Sequence, residues 1–141
     1  SPWPTGSGSR GPDVHSQSFP AYPLSVPDAR RYVTSALHHL PSSTHETAGL
    51  LVSELATNAV RYVGGRFEVA VRYTVENGLL WVGVTDTNLE EPILRTPPVT
   101  VEGGRGLQLV STLADRWGVR RRRGAGEKTV WFELSTPTTG A

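Results

Sequence analysis

Two periods dominate the hydrophobic pattern. From Ser43 to Val60 the apolar residues Ala48, Leu51, Val52, Leu55 and Ala59 fall on one arc at roughly 100° per residue, the mark of a helix. Glu54 and Asn58 are four residues apart and stack at the margin of that arc, where a core face meets a cleft. Ser43 with Glu46 reads as a capping box opening this helix, and Gly64-Gly65 as its stop. A preceding helix is expected over about Val26 to Leu40, with Ser25 as N-cap and Pro27 in its first turn. Val33, Ala36, Leu37 and Leu40 form its apolar face, and Pro41 ends it.

After Gly65 the period changes to two. Phe67, Val69, Val71, Tyr73 and Val75 face one side while Arg66, Glu68, Arg72 and Glu76 face or edge the other, which predicts a half-buried strand. Asn77-Gly78 signals a hairpin, and the return strand runs from Leu79 to Thr85, ending at Asp86. Asp86 shares parity with Val82 and Val84, so it points to the core side and needs a partner there. Thr87 to Gly103 holds three prolines and no clear period, a long loop of the kind that often carries function. Gly103-Gly104-Arg105-Gly106-Leu107 then opens a helix. Trp117 to Arg123 and Lys128 to Leu134 read as a closing strand pair, turning near Gly124 to Gly126. His15 to Tyr22 reads as a short edge strand, since Pro20 and Pro23 exclude it from a sheet centre. The residues from Thr136 to Ala141 read as a frayed tail. The chain thus divides into a disordered leader over 1–14, one domain over 15–137 and a disordered tail over 138–141.

Composition narrows the classes. The 141 residues suffice for one domain with a real core. No cysteine is present, so disulfides and thiolate chemistry drop out. No apolar run could span a bilayer, and the first residues lack the features of a secretory signal, so a soluble cytoplasmic protein is expected. The net charge of +1 gives no global attraction to nucleic acid. The run Arg120 to Arg123 sits on an expected strand, which spreads its charge to both faces and makes no groove-reading helix. His38 and His39 are adjacent near a helix end and diverge, so they make a poor metal pair. Trp81 and Trp131 read as packing for a sheet.

Three features carry candidate chemistry. A carboxylate and a carboxamide one helical turn apart, Glu54 and Asn58, could orient a water or hydroxyl and hold a hard cation through oxygen. The same letters also suit a solvated Glu and a hydrogen-bonded Asn on an amphipathic helix. Glycines opening a helix let backbone amides approach a phosphate, which the helix N-terminus favours, and Arg105 adds a fork of donors. No Gly-Lys-Ser/Thr follows, so this is not a Walker loop. The third feature is the inward Asp86.

In this order Glu54-x-x-x-Asn58-Ala59, Asp86 at a strand end, Gly104-x-Gly106-Leu107 and the strand Lys128-Thr129-Val130-Trp131-Phe132 resemble the GHKL, or Bergerat-fold, ATPases. Over about His15 to Leu134 the chain looks most like the anti-sigma serine-protein kinases, the HATPase_c_2 group. The resemblance implies an α+β two-layer sandwich, a mostly antiparallel mixed sheet with helices on one face, and ATP between the layers under the Thr87–Gly103 loop. It implies that Asn58 holds Mg2+ and that Glu54 is the catalytic base toward a serine hydroxyl or water. Asp86 would receive the adenine amino group, and Gly104, Arg105, Gly106 and Leu107 would enclose the phosphates. Thr129 would be the polar residue beside adenine. The implied function is ATP-dependent phosphorylation of a small antagonist protein together with restraint of a sigma factor. The alternative is a nucleotide-gated binding module of the same fold without kinase activity. The implied partners are a sigma factor and an anti-anti-sigma protein, with homodimerisation expected and no direct binding of nucleic acid or membrane. The family's Asp-x-Gly-x-Gly is here Asp86-Thr-Asn-Leu-Glu-Glu-Pro92, and Tyr62 stands where relatives commonly have His.

Overall fold

The computed structural model describes residues 13–61, 65–87 and 106–136, with the backbone alone at Asp13, Gly106 and Leu107. The described elements run β1 (Asp13–Pro20), α1 (Ser25–Ala36), α2 (Ser42–Val60), β2 (Arg66–Thr74), β3 (Leu79–Asp86), α3 (Gly106–Leu113), β4 (Arg116–Arg122) and β5 (Glu127–Ser135). The strands form one five-stranded sheet in the order β1-β2-β3-β5-β4. Each of its neighbouring pairs is antiparallel, in keeping with the mostly antiparallel sheet expected. The helices cover one face, giving an α+β sandwich of two layers.

The core is where the two periods meet. Phe67, Val69, Val71 and Tyr73 of β2, Leu80, Val82 and Val84 of β3, and Val130, Phe132 and Leu134 of β5 turn inward. Ala29 and Val33 of α1, Leu51, Val52 and Leu55 of α2, and Val110 of α3 meet them. Each buried Leu, Val or Phe contributes roughly 1.5–3 kcal/mol by leaving water, so these residues dominate the fold's stability. Gly49 lets α1 approach α2 closely: a Cβ there would lie 3.1 Å from the Thr34 methyl and 3.2 Å from Arg30 Nε. On the outer face the indoles of Trp81 and Trp131 stack at 6.3 Å, paving the sheet as expected. Gly83 and Gly118 leave the space these rings occupy.

Several local expectations change. α1 ends at Ala36 rather than near Leu40, and Ser25 lies within the helix instead of capping it. Pro41 disfavours a helical residue before it, so Leu37 to Leu40 form a turn whose Leu37 and Leu40 side chains still reach the core. The Ser43–Glu46 capping box does not form. Pro41 itself is the N-cap, and its carbonyl accepts from Thr44 N–H at 2.9 Å and His45 N–H at 3.2 Å. α2 ends at Val60, and residues 62–64 lie outside the described residues. Val75 belongs to the turn after β2 and is exposed, because the strand closes at Thr74. Thr136, expected to fray, is buried and donates to the Gly78 carbonyl through both its N–H at 2.7 Å and its hydroxyl at 2.9 Å. The turn between β4 and β5 falls where glycines predicted it, with Gly126 at φ 65°, a conformation that suits glycine.

Candidate functional site

The position of the site follows from how α2 crosses the sheet. Its first turns, at Ser43, Thr44 and Thr47, share a hollow with Leu134 and Ser135 at the end of β5. Leu134 pairs with Leu80, so α2 begins at the Leu79 end of β3. Nineteen residues at ~1.5 Å rise carry it about 28 Å, the length of an eight-residue strand such as β3. Its last turns therefore reach the Asp86 end. The chain agrees: Arg61 is five residues from Arg66, which opens β2, and Glu68 pairs with Thr85. Glu54, Asn58 and Asp86 thus sit toward one end of the layer interface.

Glu54 and Asn58 are both half-buried on α2. Their neighbours Ser53 and Thr57 donate their hydroxyls back to the carbonyls of Gly49 at 2.8 Å and Ser53 at 2.7 Å. Those donors are committed to α2 itself. α3 packs against α2, and its last residue, Leu113, lies in the same hollow as Thr47. Seven residues of helix at ~1.5 Å each carry Gly106 about 10 Å from there. The first amides of a helix such as α3 favour an anion.

Asp86 closes the inner face of β3. Its register partner on β5 is Lys128, and Lys128 Nζ lies 3.7 Å from Asp86 Oδ1. The two side chains are 11% and 6% exposed, so this ion pair is nearly withdrawn from water. Across from Lys128 stands Arg121 of β4, also on the inner side and half-buried. A hollow of about 190 Å³ opens beside Asp86, lined by Phe67, Arg66, Thr87 and Glu127 among others. A larger hollow of about 500 Å³ between β1 and α1, lined by Phe19, Asp28, Arg31 and Tyr32, contains none of the marked residues.

Thr129 is not brought to this place. It shares parity with Trp131, lies on the outer face, and its hydroxyl is hydrogen-bonded to that of Thr85 at 2.6 Å. The adenine-side position expected of Thr129 is therefore corrected: on this strand the residue beside Asp86 is Lys128. Gly104, Arg105 and most of the Thr87–Gly103 loop lie outside the described residues, and Gly106 and Leu107 are placed by backbone only, as the first residues of α3.

Sequence reasoning missed Lys128 and Arg121. The signal was available in parity: Lys128 alternates with Val130 and Phe132, and Arg121 with Val119 and Trp117. The arginine run is accordingly split, since Arg122 pairs with Glu127 at 3.6 Å while Arg121 turns to the helix side.

The donor set fits a nucleotide with magnesium. Mg2+ commonly takes one or two protein oxygens and completes its shell with phosphates and water, and Asn58 supplies such an oxygen. Among the described residues no cluster of three or more His, Asp or Glu could hold a metal by itself. Nor is any described helix long and apolar enough to cross a membrane.

A family model for the histidine kinase-like ATPase domain matches residues 19–134. An uncharacterized protein of Streptomyces coelicolor is 40% identical over 74 residues, which make up 50% of this chain and 70% of that relative.

Proposed function

Because the chain belongs to the histidine kinase-like ATPase domain family, an ATP-binding and kinase-like regulatory class, we propose that it is a serine-protein kinase of the anti-sigma type. In this reading it phosphorylates a small antagonist protein and restrains a sigma factor. The observation that carries it is the position of Glu54 and Asn58 of α2 and of Asp86 of β3 toward one end of the helix–sheet interface, from two separate stretches of chain.

The residues divide the work. Asp86 would accept from the adenine amine, and the amides opening α3, with Arg105, would hold the phosphates. Asn58 would hold Mg2+ through its side-chain oxygen. Bound ATP supplies the phosphoryl group, and the metal offsets its charge. Glu54 would take the proton from the attacking serine hydroxyl, which raises that oxygen's nucleophilicity as the bond forms. Positioning and fixed charge supply most of the catalysis in phosphoryl transfer.

The test combines calorimetric titration with Mg-ATP and a phosphate-transfer assay using candidate antagonist proteins encoded by the same organism. Binding together with label on an antagonist serine supports the kinase. Tight binding with no transfer to any of them would leave a nucleotide-gated binding module. No binding of ATP removes the nucleotide reading.

A further inference from the structure

We propose that the outer face of the sheet, turned away from the helices, binds single-stranded nucleic acid: bases stack on Trp81 and Trp131 while Arg72 and Arg120 hold phosphates. The inference goes beyond the ATP reading and does not depend on it. Trp81 of β3 and Trp131 of β5 stand on neighbouring strands inside the sheet. A Cβ on Gly83 would lie 2.2 Å from Cη2 of Trp81, and one on Gly118 would lie 2.9 Å from Cζ2 of Trp131. Each indole therefore lies down over a glycine, one ring face against the backbone and the other turned outward. The two planes are 15° apart, and both residues are half-buried. Antiparallel sheets with helices behind them and aromatic rings on their open face are a recurrent platform for unpaired bases, because every base has a π-face to lay on a ring. Arg116 stands 6.0 Å from the Trp131 centroid, the outer limit of a cation–π contact. Its side chain is 73% exposed, so it can swing onto the far face of an incoming base.

Charge supplies the second half of the match. On this face Glu133 is paired with Arg116 at 3.4 Å and Glu127 with Arg122 at 3.6 Å. Arg66 and Glu68, two residues apart on β2, offset each other. Arg72 and Arg120 remain, with no carboxylate partner among the described residues. They flank the indoles: Arg72 is the cross-strand partner of Trp81, and Arg120 that of Thr129, two residues from Trp131. The chain's net charge of +1 gives no reason to expect nucleic acid, but strand parity gathers a positive surplus on one face. Alternating π-faces and negative charges are what a single strand offers to such a surface. A second copy of the chain packed face to face would set the same surplus against itself. An aliphatic partner would meet Ser16, Thr85 and Thr129 around the indoles instead of an apolar surface.

The test is fluorescence anisotropy with a labelled single strand of about twelve nucleotides and mixed sequence, made as RNA and as DNA, beside a DNA backbone of the same length that lacks bases. Binding of either base-bearing strand supports the proposal, and the tighter of the two identifies the strand preferred. The base-bearing strand should bind at least about ten-fold more tightly than the abasic one, and Trp131→Leu should lose about ten-fold on the former and little on the latter. Arg72→Gln combined with Arg120→Gln should reduce the slope of log affinity against log salt by about 1.4, the share of two phosphates on a single strand. Excess Mg-ATP should not displace the strand, because Asp86 lies on the opposite face. Equal binding of the abasic strand, an unchanged salt slope, or displacement by Mg-ATP overturns the proposal. So does absence of binding at about 100 μM of either strand, which would leave this face to a protein partner. If Trp131→Leu does not fold, judged by circular dichroism, the abasic comparison in the parent and the double arginine variant decide the matter.

Discussion

Thr85 and Thr129 share a 2.6 Å hydrogen bond on the face turned away from the helices, and the adjoining pair, Asp86 and Lys128, meets on the opposite face. One step along the ladder exchanges sheet packing for the candidate site. Thr129→Val should therefore leave Mg-ATP affinity within about a factor of two, the usual range for a residue away from the site. It should lower stability by about 1 kcal/mol through the lost hydroxyl pair. Calorimetry and urea unfolding check both; a large loss of affinity with intact stability would restore Thr129 to the nucleotide.

Glu54 and Asn58 separate chemistry from binding. Glu54→Gln keeps size and hydrogen bonding, so the fold and nucleotide affinity should persist while phosphate transfer slows by about 10²-fold or more. Asn58→Ala should weaken metal-dependent binding, with little loss of helix because alanine favours it. Titrations with and without Mg2+, beside single-turnover transfer, distinguish the two. Parent-like transfer in Glu54→Gln would return Glu54 to a structural role.

Thr136 fastens the end of β5 to the β2–β3 turn. Its hydroxyl donates to the Gly78 carbonyl at 2.9 Å and lies 3.3 Å from the Tyr73 hydroxyl. Thr136→Val leaves the buried Tyr73 hydroxyl without this partner and should cost about 1–3 kcal/mol in urea unfolding. ATP affinity should not change, because this contact lies at the far end of the sheet from Asp86.

Tyr32 should make stability depend on alkaline pH. Burial pushes its phenol up to about 12, with the Glu68 carboxylate adding to the shift. Its hydroxyl is buried and has no hydrogen-bond partner among the described residues. The folded value exceeds the unfolded value of about 10, so the stabilising contribution is complete below about pH 10 and is lost as pH rises through about 12. Urea midpoints of the parent should fall in that window. Tyr32→Phe should fall less steeply and, with no hydroxyl to bury, should match or exceed the parent near neutral pH. Identical slopes would remove Tyr32 as the cause.

The local periods in the sequence determined α2, β2, β3 and the β4–β5 pair, and with them the α+β sandwich, because helix and strand spacing are properties of neighbouring residues. They also placed Glu54 with Asn58 on one helix and turned Asp86 inward. Tertiary structure alone decided what depends on distant partners. Ser43 is well suited to cap a helix, yet Pro41 takes the position, because the turn before it brings Leu37 and Leu40 to the core. Val75 continues the alternation but leaves the sheet where the hairpin turns. Thr136 looks like a tail until Gly78 and Tyr73 stand beside it. The site shows the same division: parity gives Lys128 a face, but only the docking of β5 against β3 sets its ammonium next to Asp86 and Thr129 on the other side. Strand order and register arise from burying faces contributed by segments far apart in the chain, and no spacing within a single segment encodes them.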